Sequence, residues 1–74
     1  MEAHLRILKK LEKAGKDGVV ASELVPDRVA REFVLKYLAS NGLIARRRRF
    51  RGERIFITTK GLNLLRSFEG SRNL

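Results

Sequence analysis

Asn41-Gly42-Leu43-Ile44-Ala45-Arg46-Arg47-Arg48-Arg49-Phe50-Arg51-Gly52-Glu53-Arg54-Ile55-Phe56-Ile57-Thr58-Thr59-Lys60-Gly61 contains two strand-like runs around a turn signal. Leu43 to Phe50 and Arg54 to Thr58 carry the β-branched and aromatic residues that suit a pleated surface. Between them Arg51-Gly52-Glu53 supplies a glycine for the positive φ of a tight turn, so the stretch predicts a β-hairpin with its tip there. Asn41-Gly42 is a stop signal for a helix on one side, and Thr58 is an N-cap for a helix on the other.

Before the hairpin, Asp27 is the expected N-cap of a helix running to about Ser40. Its apolar stripe is Val29, Ala30, Phe33, Val34, Tyr37 and Leu38, with Arg28, Arg31, Glu32 and Lys36 on the opposite face. Leu35 falls among those charges, where a simple helical wheel leaves it exposed, and is expected to contact another element or a partner chain. Further back, Leu5, Leu8 and Leu11, with Ile7 beside them, predict a helix over 3–14 that Gly15 ends. Val19-Val20 then suits a small strand, and Ser22 caps a brief helix over 22–25 that Pro26 limits. After Thr58, Leu62, Leu65 and Phe68, with Leu64 alongside, mark a final helix, and Gly70 to Leu74 read as a frayed tail. There is no internal repeat and no linker. Residues 1–70 are expected to form one domain and 71–74 the tail.

The 17 Lys and Arg exceed the 8 Asp and Glu by nine, and the excess is uneven. Residues 1–45 carry a net +2, residues 46–60 a net +6 and residues 61–74 a net +1. So dense a patch repels itself in the compact state and points to a polyanionic partner, nucleic acid foremost. Guanidinium groups bind phosphates bidentately, which makes Arg46, Arg47, Arg48, Arg49, Arg51 and Arg54 the first candidates. Because side chains alternate across a strand, either Arg46 and Arg48 or Arg47 and Arg49 lie along the domain surface instead. Thr58 and Lys60 in the first turn of the last helix are candidate phosphate donors, although capping accounts for Thr58 equally well. Phe50 and Phe56 are expected to pack across strands or onto the core.

Cysteine is absent, which excludes a disulfide scaffold, a thiolate zinc site and a cysteine nucleophile. His4 is the only histidine and is expected at the surface. The carboxylates lack metal spacing and no glycine-rich phosphate loop occurs, so neither an enzyme, a cofactor nor a small-molecule substrate is expected. No apolar run approaches the roughly 20 residues of a membrane span, and Met1-Glu2-Ala3-His4 is unlike a signal peptide, so a cytoplasmic, nucleoid-associated protein is expected.

The order helix, short strand, short helix, longer helix, hairpin, helix, with Gly42-Leu43-Ile44 before the basic strand and Ile57-Thr58-Thr59-Lys60-Gly61 after its partner, resembles winged-helix DNA-binding domains. The likeness is to regulators of the MarR and PadR type and to small winged-helix proteins of archaea and their viruses, and it covers nearly the whole chain. Leu24 to Gly42 is shorter than the corresponding stretch of that pattern. The resemblance implies a mainly α fold in which the hairpin is the wing and the third helix enters the major groove through Arg28, Arg31 and Lys36. There Glu32 steadies an arginine, solvates the face or contacts a cytosine amino group, and Arg51 at the tip is a candidate for the minor groove. The expected function is binding of double-stranded DNA as a transcriptional regulator. Family habit, with the surplus apolar residues Leu35, Ile7 and Leu64, adds a homodimer. An architectural DNA coat, a protein-interaction module and an RNA-binding module are the alternatives.

Overall fold

The computed structural model describes residues 2–72, with side chains through Gly70. The chain runs α1 (Glu2–Ala14), a single 3-10 turn (Gly15–Asp17), β1 (Val19–Val20), α2 (Ala21–Leu24), α3 (Arg28–Ser40), β2 (Ile44–Arg49), β3 (Gly52–Ile57) and α4 (Thr59–Arg72). The fold is mainly helical with one small antiparallel sheet, ordered β1-β3-β2. β3 is central: Ile55 faces Val19 on one side and Arg46 on the other, and Arg49 pairs with Gly52 at the far end.

The core lies between α1 and the sheet. Leu5, Leu8 and Leu11 recur every three residues along α1 and are all buried, as helical spacing requires. They meet Leu24 of α2, Ile44 and Ile55 of the sheet, and Leu65 of α4. Leu8, Leu11, Leu35, Leu38 and Ile55 are the largest side chains shut fully from solvent. Burial of this kind stabilises by about 1.5–3 kcal/mol for each large aliphatic side chain.

Two local signals work as their chemistry dictates. The Asp27 carboxylate accepts a 2.8 Å hydrogen bond from the Ala30 amide and so caps α3. Gly42, at φ +73°, ends that helix in a conformation few other residues adopt and turns Leu43 straight into β2. Thr58 closes the far side: its hydroxyl donates to the Gly42 carbonyl at 2.6 Å and accepts from the Gly61 amide at 3.0 Å. A Cβ on Gly61 would sit 2.2 Å from the Leu43 carbonyl oxygen, so the first turn of α4 rests directly on backbone.

Several sequence expectations are corrected. Leu35 does contact other elements, fully buried in the core, but of the expected apolar stripe Val29, Phe33 and Tyr37 are exposed, at 66%, 73% and 47%. The apolar residues of α3 spread over about two thirds of the helix circumference, more than one small domain covers, and the fold buries the Leu35–Leu38 side. Ile7 and Leu64 are partly buried and pack against the core cluster that contains Leu35. The second helix begins at Ala21, with Val20 rather than Ser22 as its N-cap and no side-chain hydrogen bond there. α4 passes Gly70 and continues to Arg72, since a solvated glycine weakens a helix without breaking it. Of the expected tail, Asn73 and Leu74 lie outside the described residues.

Candidate nucleic-acid interface

The pleat sorts the arginines of the hairpin into two faces. Ile44, Arg46 and Arg48 lie with Glu53, Ile55 and Ile57 on the face that continues into the core, while Arg47, Arg49, Arg54 and Phe56 lie on the other. Arg46 is therefore partly buried and meets Glu53 diagonally across the strands. Its Nε donates to Glu53 Oε2 at 2.5 Å and its Nη2 to Glu53 Oε1 at 3.0 Å. The hydrogen bonds to Arg46 hold the Glu53 carboxyl below its ordinary pKa, helped by the nearby charges of Arg46, Arg48 and Arg31. They likewise raise the Arg46 pKa, against the opposing effect of burial, with smaller help from the Glu53 and Glu32 charges. Glu32 and Arg31 of α3 thus share one cluster with Arg46, Arg48 and Glu53 of the hairpin.

Two further arginines expected at a DNA surface are tied back to the protein. Arg31 Nη1 donates to the carbonyls of Val25 and Pro26 at 3.1 and 3.2 Å, bridging the α2–α3 turn. Arg54 Nη1 donates to the Asp17 carbonyl at 2.9 Å and holds the 3-10 turn against β3. The Thr58 hydroxyl is committed to the Gly42 and Gly61 backbone, which makes it a structural cap.

Arg47, Arg48, Arg49 and Arg51 are all exposed, and among the described residues no acidic group forms an ion pair with any of them. Arg28 and Lys36 are exposed on α3, and Lys60 is exposed at the opposite end of the hairpin, its stem over Gly42. With about 3.3 Å per strand residue, the Lys60 end and the hairpin tip stand roughly 20 Å apart, so a groove or backbone followed from tip to root meets both. The structure therefore gathers Arg47, Arg48, Arg49 and Arg51 toward one end of the hairpin, Arg48 on the face opposite Arg47 and Arg49, places Arg28, Lys36 and Lys60 on other exposed elements, and gives Arg31, Arg46 and Arg54 protein partners.

The tip itself differs from the sequence expectation. Arg49 pairs with Gly52, leaving Phe50 and Arg51 as a two-residue turn, and the positive φ falls on Gly52 alone, at +119°. Phe50, expected to pack across the strands, is instead fully exposed at 103%. Phe56 does pack, its ring lying over Gly18. Pairing separates the two: Phe56 lies within β3 opposite Ala45, whereas Phe50 lies in the turn and has no cross-strand partner. His4, expected at the surface, is half-buried against Tyr37, ring centroids 5.0 Å apart.

Among the described residues no group of three or more His, Cys, Asp or Glu is placed to hold a metal ion. No helix is long and apolar enough to cross a membrane. Comparison of the chain with protein-family models, with curated proteins and with solved structures returns no match.

Proposed function

We propose that the chain is a winged-helix protein that binds double-stranded DNA, with β2–β3 as the wing, and that it acts at the nucleoid as a transcriptional regulator. One observation carries the reading: Arg47, Arg48, Arg49 and Arg51 stand exposed and, among the described residues, without an ion pair toward the end of a narrow hairpin. Four like charges so close repel one another, and that repulsion is relieved when phosphates take the place of water. Arg28, Lys36 and Lys60 add contacts from α3 and α4, while Arg46, Arg31 and Arg54 hold the elements that present them.

Fluorescence anisotropy of a labelled duplex over a salt series tests the reading. With four hairpin contacts the slope of log affinity against log salt is roughly −3 to −4 per chain. Absence of duplex binding at low salt overturns it and leaves the protein-interaction reading. Tighter binding to A-form RNA than to DNA selects the RNA reading, and equal affinity for all duplex sequences selects the architectural one.

A second reading of α3 is favoured by a specific observation: its outward face is aromatic and aliphatic, formed by Val29, Phe33 and Tyr37. On that reading α3 packs antiparallel against α3 of a second copy and makes the homodimer, the wing alone meeting DNA. Glu32 and Lys36 flank the ridge one turn apart, and a two-fold axis between them sets each opposite its complement, the self-matching that an isologous interface needs. Sedimentation equilibrium together with DNA binding by a Phe33→Asp variant separates the two. A monomeric wild type keeps α3 for the groove, and a variant that dissociates yet keeps the wild-type salt slope assigns α3 to the dimer.

A further inference from the structure

We propose that Phe50 is a wedge: on contact with duplex DNA it enters a base step from the minor groove and parts the stacked pairs, while Arg49 and Arg51 hold the flanking phosphates. The proposal rests on the DNA-binding reading above and adds a residue and a mode of binding to it.

Phe50 is the most exposed large apolar side chain described, at 103%. The turn does not require it. Turn positions favour Gly, Asn, Asp, Ser and Pro for conformational reasons, and Phe has none of these properties. Nor does the fold use it, since Phe50 lies outside the core and the apolar residues packed against it. A fully solvated phenyl ring at the end of the hairpin contributes nothing to the folded state.

Its neighbours identify the occupant. Arg49 and Arg51 flank it in sequence, and Gly52 beyond them leaves open space where a side chain would otherwise stand. A protein partner would need an apolar patch around the ring, because binding energy concentrates where several anchors are desolvated together. Here a single ring is set among guanidinium groups. Nucleic acid offers the matching pattern, an aromatic stack bordered by phosphates. Shape selects the groove. The hairpin narrows to two residues at Phe50 and Arg51, and a minor groove about 6 Å wide admits one or two side chains but not a ribbon carrying side chains on both faces.

The test uses the full chain, a short duplex carrying 2-aminopurine beside a TA step, and the same duplex labelled at its ends for energy transfer. Binding of the wild type is expected to raise 2-aminopurine fluorescence as the base unstacks and to shorten the end-to-end distance as the duplex kinks. Phe50→Ala, which removes only a solvated ring and whose fold is checked by circular dichroism, is expected to bind on the order of tenfold more weakly. Its salt slope stays that of the wild type, and both optical changes disappear. Phe50→Leu, still a wedge but not aromatic, keeps part of the bend. Wild-type binding without unstacking, or a Phe50→Ala variant as tight as wild type, overturns the wedge and leaves DNA binding standing. Tighter wild-type binding to the single strand than to the duplex, lost in Phe50→Ala, overturns it in favour of stacking on unpaired bases. No binding to duplex at any salt overturns the DNA reading and the wedge together.

Discussion

Arg46 and Glu53 sit on adjacent antiparallel strands, two positions out of register, and join through two hydrogen bonds on the core-side face of the hairpin. The pair braces the hairpin between its middle and its tip and at the same time takes one arginine out of the positive surface. Glu53→Gln keeps the shape and removes the charge. It is expected to bind duplex DNA more tightly, with a salt slope steeper by up to about 1. It is also expected to lose roughly 0.5–1 kcal/mol of stability, the range for a partly solvated ion pair. Anisotropy and thermal melting measure the two effects, and they move in opposite directions.

The same pair sets a dependence on pH. Hydrogen bonding to Arg46 depresses the Glu53 pKa below 4.5 in the folded chain, so the folded state binds that proton less readily than the unfolded chain does. The resulting stabilisation is fully present above the unfolded pKa and disappears as pH falls through the folded value. The difference in melting temperature between wild type and Glu53→Gln is therefore expected to be constant from neutrality down to about pH 5 and to close in stronger acid.

Arg47 and Arg49 share the outer face of β2 and have no ion pair among the described residues. Changing both to Ala is expected to reduce the salt slope by up to about 2 per chain and to weaken all duplexes alike. Stability should stay within about 0.5 kcal/mol of wild type, as for other exposed positions. Arg28→Ala is expected to relax sequence preference with little change of slope if α3 enters the major groove. Unchanged affinity and slope in the Arg47/Arg49 variant would remove the hairpin from the interface.

The contact of Gly61 with the Leu43 carbonyl predicts a stability effect far from the arginines. Gly61→Ala would place a methyl 2.2 Å from backbone oxygen, so α4 or the start of β2 must shift. The expected cost is about 1–3 kcal/mol, typical of overpacking, and the melting temperature falls by on the order of 10 °C. Thr58→Val removes the cap and the bond to Gly42 and is expected to cost about 1 kcal/mol or more. Thermal melts followed by circular dichroism check both.

Assembly is measured directly. The wild type is expected to sediment as a dimer at micromolar concentration and Phe33→Asp as the 8.5 kDa monomer. A wild type that is monomeric in that range removes the α3–α3 pairing.

The order of elements was legible in the chain because its main boundaries have local causes. Asp27 caps, Gly42 stops, Thr58 restarts, and the three leucines of α1 repeat at helical spacing. Concentration of charge in residues 46–60 located the candidate site by the same kind of short-range evidence. What only the tertiary structure decided was which of several equivalent faces turns inward. On α3 the apolar arc is wider than any one neighbour covers, so packing against β2 and α2 chose Leu35 and exposed Phe33. On β2 alternation allowed either pair of arginines to face in, and the diagonal approach of Glu53 fixed Arg46 there. At the tip, strand register set the turn one residue earlier than Gly52 suggested and left Phe50 in solvent, because register follows which strand residues turn inward, here Ile44 and Ile55, and not the turn's own residues.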